Sequence, residues 1–246
     1  MDFKIGGKAY IPGMYSPKGR NAAKIAEDYI RSWTASSWEP RSGPVISTTI
    51  PPCICVAREI GAGALEIADC LAEKMDWQVI DREILEHIAH NAALSEKAVA
   101  VFDERYPGLI TELLKMTFGQ KSFIKSDYLR HLFGVVASVA NMGKCVFVGR
   151  GVHLILPRQR VLAVKIVAPK TFRAQRLAEI MRSSEQEAMS KIDELDSEQR
   201  DFFSKVFSVS GDVPFEYDLI INRQHFGDID WAAELIRTAY TQKFSK

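Results

Sequence analysis

Short apolar segments alternate with longer amphipathic ones from residue 52 to the C-terminus, and this alternation restricts the fold more than any other feature. The short segments are apolar on both faces, without the period-two pattern of a half-exposed strand, as a sheet covered by helices on both sides requires. Strands alternating with helices indicate a parallel sheet in an α/β domain. The predicted strands are residues 53–57, 77–80, 145–148, 161–167 and 219–221.

Helical periodicity fills the intervals between these strands. A glycine at 143 is expected to end the apolar helix before it, and no internal repeat is evident. The expected fold is therefore a three-layer α/β fold, with a parallel sheet of about five strands flanked by helices. The predicted helices are residues 64–75, 82–90, 95–104, 106–125, 128–142, 171–181, 184–203 and 230–244.

Residues 1–44 differ from the rest of the chain. They contain four of the ten prolines and two of the four tryptophans, Trp33 and Trp38, and residues 21–33 form a fair amphipathic helix. Tryptophans favour burial over free disorder. We therefore expect an N-terminal extension that either docks on a main domain of residues 45–246 or serves as an arm for homo-oligomerisation.

Composition narrows the class of function. The 32 basic and 31 acidic residues give a net charge of +1, which provides no basic field for a nucleic-acid backbone. No apolar run is long enough for a membrane span, and the first 20 residues lack the apolar core of a signal peptide. The four cysteines are most simply buried free thiols. We expect a cytoplasmic protein that binds a small molecule, and neither nucleic acid nor a membrane.

The segment from Arg58 to Leu65 joins the first predicted strand of this sheet to a helix, where α/β folds place phosphate-binding loops. A full phosphate loop reads G-x-x-x-x-G-K-[ST]. If Gly63 takes the second glycine, Ala64 replaces the lysine and Leu65 the hydroxyl residue. A glycine-rich turn needed only for packing remains an equal alternative. The residues that would bind phosphate are Arg58, Gly61, Ala62, Gly63, Ala64 and Leu65.

Two polar residues follow other predicted strands. Arg150 stands between two glycines at the edge where open α/β sheets bind ligands, and its planar fork suits phosphate. Asp81 also ends a strand. It could accept a hydrogen bond from a ligand or cap the helix that follows, and the two roles are compatible.

A charged stretch toward the C-terminus has the character of a mobile lid, which supplies arginines to a transferring phosphoryl group. For most of its residues a solvated helix face is the simpler interpretation. His87 and His90 lie on one predicted helix without a third ligand, so no metal site is predicted. The lid candidates are Arg173, Arg176, Arg182, Lys191, Arg200 and Lys205.

Several segments, in order, resemble the cytidylate-kinase-like family of P-loop kinases over about residues 52–240. They are CICVAREIGAGALEIADCLAEKM, WQVIDREILEHIA, CVFVGRGVHLIL, VLAVKIVAPKTFRAQRLAEI and YDLIIN. The resemblance implies a nucleoside monophosphate kinase fold with a helical lid, ATP with Mg²⁺ on residues 61–65, and phosphoryl transfer to a nucleoside monophosphate or related acceptor. It also implies that Arg150 holds the acceptor phosphate, that Asp81 lies on the acceptor side, and that Asn222 lies beside the adenine.

This chain departs from the family pattern at several positions. Ala64 and Leu65 stand where the family has Gly-Arg, and Gly151 stands where cytidylate kinases have Asp. In the lid, Gln199 takes an arginine position and Arg200 lies one step away, so Arg200 is the catalytic candidate there. Three functions remain open. The protein is an active kinase in which Arg58 reaches back to the phosphates, a nucleotide-binding module without transfer, or a purely structural protein.

Overall fold

A five-stranded parallel sheet is the centre of the computed structural model, which describes residues 3–5, 8–10, 28, 50–90, 96, 127–207 and 214–245. The strands are β1 (Phe3–Ile5), β2 (Lys8–Tyr10), β3 (Cys53–Arg58), β4 (Gln78–Ile80), β5 (Cys145–Val148), β6 (Val161–Val167) and β7 (Leu219–Asn222). The helices are α1 (Ala64–Met75), α2 (Arg82–His90), α3 (Asp127–Met142), α4 (Val152–Ile155), α5 (Lys170–Met181), α6 (Glu185–Phe207) and α7 (Ile229–Phe244). Strands β1 and β2 form a separate antiparallel pair.

The sheet has the strand order β4-β5-β3-β6-β7, and every neighbouring pair is parallel. Strand β3 is central, so the loop that follows it emerges in the middle of the carboxyl edge. Helices cover both faces. The predicted three-layer α/β fold is therefore confirmed.

Two apolar cores lie on opposite faces of the sheet. On one face α1 and α7 pack on alternate residues of β3 and β6, with Leu71 and Ile236 fully buried. On the other face α2, α3 and α4 enclose the remaining strand residues, and Phe133 of α3 is among the largest buried side chains. Full burial of a side chain of this size contributes roughly 1.5–3 kcal/mol. The helices on the two faces together hold the carboxyl edge of the sheet, where the strands end.

A third, smaller cluster joins α5 to α6. It contains Leu177 of α5, Ile192 of α6 and Ile60 from the loop after β3, all nearly inaccessible. This helical pair occupies the position predicted for the lid. Contact with Ile60 places it directly on the loop between β3 and α1.

The predicted elements agree with the observed ones over most of the described chain, and β5, β6, α1 and α2 have the expected bounds. Helix α6 continues past residue 203 to Phe207, and the short α4 and the β1–β2 pair were not predicted. Residues 28 and 96 are helical, but the rest of the predicted helices 21–33, 95–104 and 106–125 lies outside the described residues. The N-terminal extension and its oligomerisation role therefore stay predictions.

Two predictions made from composition, on the cysteines and on membrane spans, concern residues that the structure describes. Cys53, Cys55 and Cys145 are buried free thiols, and Cys70 is free and partly exposed. Within the described ranges, no helix combines the length and apolar character that a bilayer crossing would need.

Candidate functional site

A cavity of about 210 Å³ opens at the carboxyl edge of the sheet, between the end of β3 and the lid helix α6. The loop after β5, the start of α2 and Tyr217 complete its walls. Five positive and three negative side chains are among the described residues that line it. They are Arg58, Arg82, Arg150, Lys165 and Arg200, against Glu59, Asp196 and Glu198. This balance favours an anionic ligand.

Arg150 enters the cavity from a strained turn. It has a φ of 54°, and the flanking Gly149 and Gly151 are also left-handed, at 87° and 65°. Its guanidinium pairs with Glu86 and stacks on the ring of Phe202, 4.3 Å from the centroid. Its Nε is buried and makes no hydrogen bond to any described residue. This turn costs backbone strain of order 1–3 kcal/mol, and it places the Arg150 guanidinium inside the cavity.

Three arginines from three segments converge here. Burial, together with repulsion from Arg82 and Arg58, lowers the pKa of Arg150 to about 9, while Glu198 acts in the opposite direction. Burial also lowers the pKa of Arg82, whose Nε donates to Glu86 at 3.1 Å. A phosphate dianion bound between these guanidinium groups would relieve their mutual repulsion and favour their charged forms.

The loop between β3 and α1 has left-handed glycines at positions 61 and 63 but lacks the lysine and the hydroxyl residue of a full phosphate loop. Gly63 caps α1 in a left-handed conformation with no side-chain hydrogen bond. Ala64 and Leu65, the first two residues of α1, are buried in the apolar core and carry neither a charge nor a hydroxyl. A group of three or more His, Cys, Asp or Glu side chains suited to a metal is also absent from the described residues. Ala64 and Leu65 themselves provide no ligand for Mg²⁺.

Arg173 of α5 locks this loop to the lid. The side chain is buried; Nη1 donates to the Ile60 carbonyl at 3.1 Å and to Asp196 of α6 at 3.0 Å, and Nε donates to the Ala168 carbonyl at 3.1 Å. A Cβ on Gly61 would lie 3.1 Å from the Arg173 carbonyl oxygen. Arg173 is therefore not on a solvated helix face, and it holds the loop instead of a ligand.

Arg176 lies over the other side of the loop. It pairs with Glu66 in the first turn of α1, and its Nε would be 3.2 Å from a Cβ on Gly63. Arg223, just after β7, is buried nearby. Burial lowers the pKa of Arg223, and repulsion from Arg176 adds to the effect. Two guanidinium groups thus accompany the N-terminus of α1, where the dipole already favours anions.

The other predicted site residues have distinct places. Asp81 is buried, and its Oδ1 accepts from the Ile84 N–H at 3.0 Å, so it caps α2. The Asn222 Oδ1 accepts from the Gln224 N–H at 3.1 Å in the turn after β7. Arg58, Arg150 and Arg200 line the cavity together. The remaining predicted residues, Gly61, Ala62, Gly63, Ala64, Leu65, Asp81 and Asn222, are not in its lining.

Sequence reasoning missed Arg82 and Lys165 as site residues. Lys165 is the one charged residue in the apolar strand sequence VLAVKIV, and this exception to the pattern was the available signal. Arg82 directly follows Asp81 at the carboxyl end of β4. Gln199, predicted at a lid arginine position, reaches the site as well, because its Nε2 donates to the Arg58 carbonyl at 3.2 Å.

Comparisons with known proteins agree with this architecture. A sequence profile of the cytidylate kinase-like family matches residues 53–225. A crystal structure of an uncharacterized protein from Eubacterium ventriosum aligns with a TM-score of 0.59 and 19% identity over 78% of this chain and 98% of that one. A shikimate kinase from Bacteroides thetaiotaomicron aligns with a TM-score of 0.40 and 15% identity over 79% of this chain and 99% of its own. A search of curated proteins found no significant match.

Proposed function

This chain belongs to the cytidylate kinase-like family, and from that membership we propose that it transfers a phosphoryl group from ATP to a nucleoside monophosphate or a related small phosphorylated acceptor. The observation that carries the proposal is the convergence of Arg58, Arg82 and Arg150 in one cavity beside the loop after β3. Guanidinium groups arranged in this way bind phosphate in fork geometry. The acceptor phosphate would occupy the space between them.

The transfer step needs little chemistry from the protein beyond positioning and charge. An oxygen of the acceptor phosphate forms a new bond to the γ-phosphorus of ATP. The bond from that phosphorus to the bridging oxygen breaks, and its electron pair stays on the β-phosphate of the departing ADP. A phosphate oxygen is already ionised at neutral pH, so the attack requires no general base. The arginines stabilise the charge that spreads over the transferring group.

We place the ATP phosphates at the N-terminus of α1, where backbone N–H groups, Arg176 and Arg223 are available. Because Leu65 is apolar and buried, we assign no protein ligand to Mg²⁺. An ion that accompanies ATP would be coordinated by phosphate oxygens and water, as Mg²⁺ commonly is. Helix α6 covers the cavity through Phe202 and Phe203, which would exclude water from the transferring group.

The test combines binding with turnover. Wild type is screened by thermal unfolding against nucleoside monophosphates with Mg-ATP, and the ligands that stabilise it are assayed for transfer. Arg150→Met is expected to lower the transfer rate about 10²–10³-fold and to weaken the thermal shift caused by the monophosphate. Arg237→Met, on an exposed face of α7 and paired only with Glu234 in the described contacts, should change neither. Absence of transfer by wild type with every acceptor tested would contradict the proposal, whether or not nucleotides shift the unfolding temperature.

A second candidate function is nucleotide binding without transfer. It is favoured by the presence of Ala64 and Leu65 at the positions where a full phosphate loop has its lysine and hydroxyl residue. In that case nucleotides raise the unfolding temperature of wild type, and no product forms with any acceptor. The same two assays therefore separate the candidates.

A further inference from the structure

We propose that Glu86 of α2 is a positioning residue for the acceptor phosphate, because one of its oxygens holds both Arg82 and Arg150 where they converge on the cavity. The assignment rests on the proposed function, since it concerns two of the arginines between which we expect that phosphate. Glu86 itself is not among the residues that line the cavity. Its part is therefore to act through the two arginines.

The order of strands in the sheet explains how Glu86 meets arginines from two segments. Strands β4 and β5 are neighbours, and Ile80 at the end of β4 pairs with Phe147 of β5. Helix α2 begins two residues after β4, and the turn that carries Arg150 directly follows β5. The first turns of α2 and the turn at Arg150 therefore emerge side by side at the carboxyl edge of the sheet.

Both arginines bond to the same oxygen atom of Glu86. Arg82 lies one helical turn before Glu86, and its Nε donates to Oε1 at 3.1 Å. Nη2 of Arg150 pairs with this same Oε1. A carboxylate oxygen can accept more than one hydrogen bond, so this single atom fixes the distance between the two guanidinium groups.

These bonds leave donors of both arginines for a ligand. The bond from Arg82 uses Nε and does not occupy its terminal nitrogens, while the buried Nε of Arg150 makes no hydrogen bond to any described residue. The ring of Phe202 covers one face of the Arg150 guanidinium at 4.3 Å, so that group is held by stacking as well as by Glu86. Both arginines line the cavity, and a phosphate there would meet donors that are already oriented.

The contact with Glu86 also offsets a repulsion. Burial, and after it repulsion from Arg82, lowers the pKa of Arg150. The side chains of Glu86, Arg82 and Arg150 are mostly buried, so solvent and salt screen this repulsion poorly. Glu86 could therefore act through its charge or through the place of its oxygen. The proposal is that the place of the oxygen decides, and two conservative substitutions separate the two roles.

The experiment compares Glu86→Gln, Glu86→Asp and a control, Glu234→Gln. Glutamine keeps an oxygen at the same distance from the backbone and removes the charge, whereas aspartate keeps the charge and withdraws the oxygens by the length of a methylene group. Glu234 likewise accepts from an arginine of its own helix, Arg237, but on an exposed face of α7.

Each variant is measured for its unfolding temperature without ligand and for the shifts produced by inorganic phosphate and by the nucleoside monophosphate that best stabilises wild type. The kinetic constants kcat and KM are measured for that monophosphate and for ATP.

We expect Glu86→Asp to raise KM for the monophosphate and to lower kcat/KM for it about 10²-fold, because displaced guanidinium groups no longer match the phosphate. Its thermal shifts with inorganic phosphate and monophosphate should shrink. KM for ATP should keep the wild-type value, because we place ATP at the N-terminus of α1. Glu86→Gln should stay close to wild type, since its amide oxygen can accept both bonds, and Glu234→Gln should match wild type.

Any other pattern overturns the assignment. If Glu86→Asp retains activity and Glu86→Gln loses it, Glu86 acts as a counter-charge. If both variants lose activity, the place of the oxygen is not sufficient, and if both match wild type, the contact has no role in transfer. If KM for ATP rises together with KM for the monophosphate, or if the unfolding temperature without ligand falls, Glu86 serves the fold.

The proposed function fails in a different way. If a monophosphate stabilises wild type but no phosphoryl group is transferred, the proposed function is refuted, and the thermal shifts of the two Glu86 variants still decide the role of Glu86. If neither inorganic phosphate nor any monophosphate stabilises wild type, both proposals are refuted.

Discussion

At the scale of single residues, the turn Gly149–Gly151 determines where Arg150 enters the cavity. Three consecutive left-handed residues turn the chain out of β5, and only Arg150 among them incurs the steric cost that a Cβ brings to this conformation. Gly151 has a second constraint, because a Cβ there would lie 2.5 Å from Cε2 of Phe207. The turn and the lid helix are thus fitted to each other.

Gly151→Ala is accordingly expected to destabilise the protein by about 2–4 kcal/mol, the sum of left-handed strain and overpacking against α6. Chemical denaturation at neutral pH measures the change. Gly227→Ala is the matched control: a Cβ there meets no atom within 4 Å and the residue does not have a left-handed φ, so its effect should stay below about 1 kcal/mol. Equal effects of the two substitutions would show that contact with Phe207 is unimportant.

Residue identities in the site were only partly predictable from sequence. Arg58 and Arg150 could be found because each lies at or just after the end of a recognisable strand, in a segment that contains glycines. Lys165 had a signal, as the one charged residue of an apolar strand, but its place beside Ala57 depends on the pairing of β6 with β3, which no local pattern encodes. Arg173 resembled an exposed lid residue, yet it is buried and bonded to three carbonyl and carboxylate partners, two of which come from other segments.

At the scale of elements, α6 is held over the cavity by contacts of different kinds. Apolar residues dock it on α5, Gln199 bonds to the Arg58 carbonyl, and Asp196 binds Arg173. The Arg173–Asp196 pair is mostly buried, at 8% and 21% side-chain exposure, whereas Lys170 and Asp193 join the same two helices at the surface, at 39% and 65%. The buried pair should therefore determine how firmly the lid is docked.

Asp196→Asn is expected to increase hydrogen exchange throughout α6 and to cost about 1–3 kcal/mol of stability, because a buried guanidinium loses the nearer of its two acidic partners, Asp196 and Glu59. Asp193→Asn changes the same chemistry in the exposed pair, and its cost should be within about 0.5 kcal/mol. Mass spectrometry of deuterium uptake resolves the helix. If the two variants exchange alike in α6, the buried pair does not anchor the lid.

The elements themselves were largely predictable, because short apolar strands between glycine or proline punctuation are local signals. Strands β5 and β6 are examples. The end of α6 was not predictable in this way. The helix continues to Phe207, and the rings of Phe203 and Phe207 pack beside Gly151, which is distant in sequence. The four-residue α4 was also missed, since it begins at a left-handed glycine and not at a polar capping residue.

At the scale of the whole molecule, the net charge of +1 conceals two local groups of charged residues. The cavity gathers arginines around one anion-binding space. Away from the cavity, Asp218 gathers cations, because its carboxylate accepts hydrogen bonds from Arg158, Lys243 and the Ala163 N–H. This carboxylate joins the start of β7 to β6 and to the closing helix α7.

Asp218 should make folding stability depend on acid pH. Burial raises the pKa of Asp218, but the hydrogen bonds from Arg158, Lys243 and the Ala163 N–H outweigh it and hold the pKa at about 2. The unfolded value is about 3.9, so the stabilisation is present above that pH and is lost as pH falls toward 2.

Asp218→Asn should therefore cost about 1–2 kcal/mol at pH 7, since solvent partly screens the carboxylate, and the difference from wild type should vanish near pH 2. Urea denaturation from pH 2 to 7 measures it. Asp230→Asn, at the exposed pair with Lys74, should show a small difference throughout. If the stability difference between Asp218→Asn and wild type does not change with pH, the lowered pKa of Asp218 is refuted, because the stabilisation would then not depend on ionisation of the carboxyl group.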